Sequence, residues 1–188
     1  MIKPMVYFTI ILLLILTNDI NAITYYLDSD GGNDANSGKS TLLPWKTLIK
    51  VNGFTFASGD TISLKCGSRF LVMASITNKS NITFNSYGTG ARPVIDGGGI
   101  CTPFELAGTN ITLNGIKVVN GYNCNLSLNG TYITIESCNI DSNAVGTGAN
   151  GNPGQIYSDV TGNHITVRNS TISYGRGGMD ITLMVGTI

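Results

Sequence analysis

With 188 residues and eleven basic against eleven acidic side chains, the chain has room for one domain with a real core and no charge excess that would recruit nucleic acid. Only 12% of residues are charged, while glycine numbers 24 and Asn, Ser, Thr and Ile recur throughout. That composition argues against a helical bundle and for a turn-rich β protein.

Residues 1–22, "MIKPMVYFTIILLLILTNDINA", carry Lys3, an apolar run from Met5 to Leu16 and a small residue at Ala22. This is the pattern of a secretory signal peptide, and the run is shorter than the roughly 20 residues that span a bilayer. The expectation is a secreted, extracellular protein with no stable membrane span after cleavage. A retained tether is the weaker alternative.

Residues 23–59 read as an N-terminal strand followed by a cap. In "DSDGGNDANSG", Asp28, Asp30, Asn33 and Asp34 are closely spaced oxygen donors, but Gly32 stands where an EF-hand places a ligand, so a structural turn is favoured over Ca²⁺. Pro44 suits the first turn of a short helix whose Trp45, Leu48, Ile49 and Val51 would cover the end of a core. Gly59 and Asp60 then turn the chain into a strand, "TISLK".

Residues 60–188 are organised by one recurring phrase: "NITF", "NITL", "YITI" and "HITV", with the central Ile at 82, 111, 133 and 165. A period of 22 residues fits once "YGTGARP" and "VGTGANGNPG" are taken as turn-rich insertions. Alternation continues beyond the phrase. Leu113, Ile135 and Val167 align, as do Val118, Ile140 and Ile172, with Ile116, Cys138 and Ser170 between them. Short strands at this period describe the coils of a parallel β-helix, whose like residues stack about 4.8 Å apart. The leucine-rich repeat pattern is missing. In "TNITLNGIKVVNG", Asn114-Gly115 makes a corner and Ile111, Leu113, Ile116 and Val118 point inward.

The ordered set "YYLDS", "GND", "PWKTL", "GDTI" and "PVIDG" resembles the opening of secreted right-handed parallel β-helix proteins of the pectin-lyase-like superfamily, nearest to the chondroitinase B and alginate lyase type. The resemblance implies an all-β, single-stranded, right-handed parallel β-helix of about five coils with a short N-terminal capping helix. It further implies a carbohydrate-active protein related to lyases or hydrolases of acidic polysaccharides. The end, "GGMDITLMVGTI", falls in mid-coil without a cap, which reads as a C-terminally truncated product.

In such folds the glycan lies along an outer face, so aligned outward residues are the candidates. The strands preceding each phrase place Glu105, Ser127, Asp159 and Asp180 in one substrate-binding row, with Arg176 close by. Asp159 and Asp180 on neighbouring coils would repel, raising one pKa or recruiting a cation such as Ca²⁺. Lyase chemistry on a uronate also needs a base and a neutralising cation, for which Lys117, Arg168 and Arg176 are the basic candidates. The family's basic pair lies in later coils and is not carried over.

The signatures of pectin hydrolases are missing, and the single histidine, His164, occupies an outward turn position unsuited to catalysis. The sequons at Asn78, Asn81, Asn110, Asn125, Asn129 and Asn169 coincide with the repeat, so turn chemistry accounts for them; in a eukaryotic host they could carry glycans. The four cysteines, Cys66, Cys101, Cys124 and Cys138, allow three full pairings that sequence alone does not separate; Cys101 and Cys124, nearly one period apart, are the first candidate pair. No complete catalytic set is present. A non-catalytic glycan-binding or extracellular structural β-helix is therefore the alternative to an enzyme on an acidic polysaccharide.

Overall fold

The computed structural model describes residues 21–72, 79–122, 124–141, 154–158, 163–173 and 179–183, with the backbone alone for 154 and 179–183. These residues form a parallel β-helix built from three sheets. Sheet A contains β1 (Thr24–Leu27), β2 (Thr61–Lys65), β4 (Ile82–Tyr87), β7 (Thr109–Asn114), β10 (Thr131–Glu136) and β13 (Asn163–Arg168), in that spatial order. Sheet B stacks β3 (Arg69–Leu71), β5 (Val94–Asp96), β8 (Lys117–Val119), β11 (Asn139–Asp141) and β14 (Thr171–Ile172). Sheet C stacks β6 (Phe104–Leu106), β9 (Leu126–Leu128), β12 (Gly154–Ser158) and β15 (Met179–Leu183).

Every pairing is parallel and joins one coil to the next. Ile111 pairs with Ile82 and Ile133, and Ile133 pairs with Ile165, so the recurring phrase does set the register. Leu113, Ile135 and Val167 also stack, as do Val118, Ile140 and Ile172. A slip of one residue would turn every one of these side chains outward, which is why apolar alternation fixes facing so firmly. Ile82, Ile111, Ile133, Leu113, Val118 and Ile140 all lie in one buried core.

The stack is closed at its N-terminal side by the cap. Its one helix, α1 (Leu48–Asn52), starts three residues after Trp45, so Pro44 precedes the helix and does not begin it. Trp45, Leu48 and Val51 are buried as expected, whereas Ile49 is 68% exposed and covers nothing. Helical spacing explains the correction: Leu48 and Val51, three apart, share the inward face and Ile49 lies off it. Trp45 also pairs its backbone with Leu27, continuing sheet A, and stacks on Tyr25 at 5.0 Å.

The loop carboxylates serve this cap. Asp34 accepts hydrogen bonds from the Lys46 and Thr47 amides and from Thr47 Oγ1. Asp28 accepts from the Asp30 and Gly31 amides and from Lys65 Nζ. The segment is a turn, as its spacing suggests. Asp60, 1% exposed, ties the Ile23 amide to the Ala57 amide across the entry to β2. Lys79 fastens the cap from the other side, donating to the carbonyls of Asn52 and Phe54 while lying 5.3 Å from the Phe56 ring centre. Burial pulls its pKa below the ordinary lysine value.

Candidate functional site

The phrase that builds the core also builds a surface. In the four phrases centred on Ile82, Ile111, Ile133 and Ile165 the Ile points inward, so the following Thr must point outward from sheet A. Backbone pairing then aligns Thr24, Thr61, Thr83, Thr112, Thr134 and Thr166 in one row across all six strands. Neighbouring hydroxyls in the row repeat every ~4.8 Å. Two residues further along each strand a second outward row contains Tyr26, Ser63 and Asn85 over the first coils and Glu136 and Arg168 over the last. Tyr26 meets Tyr87 edge-on at 5.1 Å, and Ser63, though outward, is only 3% exposed. Burial, with help from the Asp28 charge and Tyr26, pushes the Tyr87 phenol up to about 12.

On the other flank of the threonines runs a column of left-handed residues. Asn81, Asn110, Tyr132 and His164 have φ of 53°, 56°, 57° and 53°. Asn tolerates this region, but a bulky side chain rarely occupies it. The two Asn side chains approach at 3.4 Å, and the Tyr132 and His164 rings stack at 4.5 Å. A second such column, Gly115, Ser137 and Asn169, forms the corner between sheets A and B, with φ of 72°, 51° and 52°. The corner assigned to Asn114-Gly115 therefore persists on later coils without glycine.

Charge on these faces is arranged in pairs between adjacent coils. Lys65 meets Asp28 at 2.6 Å, Lys117 meets Asp141 at 3.3 Å, Arg168 meets Glu136 at 2.9 Å, and Arg69 contacts Asp96. Burial alone would raise the carboxyls of Asp28 and Asp96, but hydrogen bonds and their cations outweigh it and hold both below the usual carboxylate range. Two of the basic candidates, Lys117 and Arg168, are thus structural partners of carboxylates. Arg176 lies outside the described residues.

The acidic row expected on sheet C is only partly assembled. Glu105 does stand opposite Ser127, and Glu105 is exposed while Ser127 is buried. Beyond them the register differs: Ser127 pairs with Tyr157, and Tyr157 with Thr182. Asp180 falls level with Gln155, since Gly154 pairs with Met179 and Ile156 with Ile181. Asp159 itself lies outside the described residues. A shift of two residues leaves facing unchanged, so alternation could not select between registers. Contacts select: Ile156, 1% exposed, stacks on Leu126, and the buried Gln155 accepts from the Asn125 amide beside it. Asn125 also accepts from the Gly121 amide and donates to the Asp141 carbonyl, so this sequon is committed to the interior. Among the described residues no three or more His, Cys, Asp or Glu converge as a metal site.

The expected Cys101–Cys124 disulfide is not formed, and all four cysteines are free thiols. Cys101 Sγ is turned toward the carbonyls of Val72 and Gly97, and Cys124 Sγ lies 3.7 Å from Thr102 Oγ1. Similar position along the coil does not aim the two Cβ vectors at one another, which a bridge requires. Burial raises both thiols, Cys124 to about 11.

No family model matches the chain. Over 94 residues, 45% of its length, it is 35% identical to a lacto-N-biosidase of Bifidobacterium longum subsp. longum, of which the match takes in 6%. Its fold is similar to that of a GH136 lacto-N-biosidase from Eubacterium ramulus, with a TM-score of 0.60 and 21% identity over 78% of this chain and 33% of that one. It is also similar to a rhamnogalacturonan lyase, with a TM-score of 0.51 and 17% identity over 79% of this chain and 51% of the other. The chain thus spans a small part of the first relative and about a third to a half of the solved chains.

Proposed function

We propose that this chain is the β-helical part of a secreted carbohydrate-active protein, and that the outer face of sheet A takes an extended glycan. The row of six threonines carries this reading. A repeating polymer laid along the stack meets the same hydroxyl at every coil, flanked by amides from Asn81 and Asn110 and by the aromatic side chains of Tyr26 and Tyr132. Polar groups fixed on a rigid sheet lose little entropy on binding. The similarity to two proteins named for acting on carbohydrates supports the same class. Secretion is proposed from residues 1–22 alone.

The test is retardation of the mature protein in native gels containing soluble polysaccharides. Retardation by at least one polymer that is weakened when Thr112 and Thr134 are both replaced by Val supports the assignment. Mobility that no polymer alters counts against it.

A second reading, cleavage of the glycan as a lyase or hydrolase, is favoured by the exposed Glu105 carboxylate standing beside Ser127 on sheet C. β-Elimination leaves an alkene absorbing at ~235 nm, whereas hydrolysis leaves a new reducing end without that absorbance. If alginate, chondroitin and pectate give neither product, the lyase form of this reading fails for the uronate substrates that the resemblance implies.

A further inference from the structure

We infer that the glycan bound on the sheet A face is uncharged. This rests on the assignment of that face to glycan binding and narrows its ligand to neutral, hydroxyl-rich polysaccharides. The groups aligned on the face are threonine hydroxyls and asparagine amides, which pair with sugar hydroxyls as donor or acceptor without any net charge. Among the described residues, the two basic side chains of the sheet A strands, Lys65 and Arg168, already have partners. Lys65 Nζ meets Asp28 Oδ2 at 2.6 Å, and Arg168 meets Glu136 Oε2 at 2.9 Å, each carboxylate belonging to the preceding coil.

A uronate polymer would have to compete with these tethered carboxylates for Lys65 and Arg168. Success would leave two like charges side by side, either the uronate against Glu136 or the uronate against Asp28. Asp28 is also held by the Asp30 and Gly31 amides and is 6% exposed, so it has no route to swing away. A neutral chain disturbs neither pair. The same carboxylates that neutralise the cations therefore select against acidic glycans, which is specificity through an unfavourable wrong partner.

The experiment measures binding of the mature protein to a galactan and a mixed-linkage β-glucan, both neutral, and to polygalacturonate and alginate, at low and high ionic strength. The expected result is binding to at least one neutral polymer, insensitive to salt, with no binding to the uronate polymers. Binding to polygalacturonate or alginate that salt releases overturns the inference while leaving the glycan assignment standing. Failure to bind any of the four removes both.

Glu136→Gln gives an independent arm, because it frees Arg168 on a half-exposed part of the face. The variant is expected to gain roughly tenfold in affinity for polygalacturonate, the scale of one charge-assisted contact, and to lose that gain in salt. Its binding to the neutral polymer serves as the check that the face is intact. If neutral binding persists and polygalacturonate affinity does not rise, the ion pair is not what excludes acidic chains and the inference is wrong.

Discussion

Tyr132 and His164 stack ring against ring at 4.5 Å although each sits in the left-handed backbone region, where Asn stands one and two coils earlier. Two opposing effects meet here. A bulky residue at positive φ costs about 1 kcal/mol or more relative to Asn, while an aromatic pair returns about 0.5–1.5 kcal/mol. Tyr132→Asn is therefore expected to change stability by less than about 1 kcal/mol, because both effects are removed together. Tyr132→Ala keeps the backbone cost and loses the stack, and should destabilise by about 1 kcal/mol. Urea unfolding of the two variants separates them. No loss in Tyr132→Ala would show that the stack contributes nothing, and equal losses in the two variants would show that the left-handed backbone costs nothing at this position.

The inward ladder should be the most sensitive part of the fold. Ile133 is fully buried between Ile111 and Ile165, and coils above and below prevent collapse around a cavity. Ile133→Ala is expected to cost about 2–5 kcal/mol and Ile133→Val about 0.5–1.5 kcal/mol. Ile165 is only partly buried, so its truncation should cost less than the same change at 133. Denaturation midpoints provide the comparison.

The threonine row predicts a different pattern, because its side chains line the outside. Thr134→Val keeps shape and β-branching and removes only the hydroxyl, so stability should stay within about 0.5 kcal/mol. Binding to a retained glycan should weaken by roughly threefold to tenfold, the range of one neutral hydrogen bond. A variant that binds as well as the parent would remove Thr134 from the contact.

Acid should unfold the cap before neutral pH has any effect. Asp28 and Asp34 have folded-state carboxyls held below their ordinary value of 3.8; burial opposes this, but hydrogen bonds and nearby lysines outweigh it. A depressed acid contributes stability that is complete above its unfolded pKa and is lost as pH falls through the lower folded value. Stability should thus be flat from neutrality down to about pH 5 and decline below about pH 4. Asp34→Asn should lower stability at neutral pH and flatten the acid limb. Midpoints measured against pH test both, and an unchanged limb in the variant would assign the acid loss elsewhere.

Sequence alone determined the inner register of sheet A. Ile82, Ile111, Ile133 and Ile165 announce it because burial forces one apolar residue to the same place in every coil, and the Thr that follows each is then committed to the outside. The threonine face was legible by the same logic, in the Thr that follows Ile82, Ile111, Ile133 and Ile165.

The tertiary structure decided what periodicity leaves open. Alternation cannot distinguish two registers that differ by two residues, so the stacking of Ile156 on Leu126 and the Asn125–Gln155 contact were needed to place sheet C after the insertion. The ion pairs between coils likewise depend on how far each loop carries the chain around the axis, which no local pattern encodes. Residues that must be buried are dictated residue by residue. Partners that meet across coils are dictated only once the whole helix has closed.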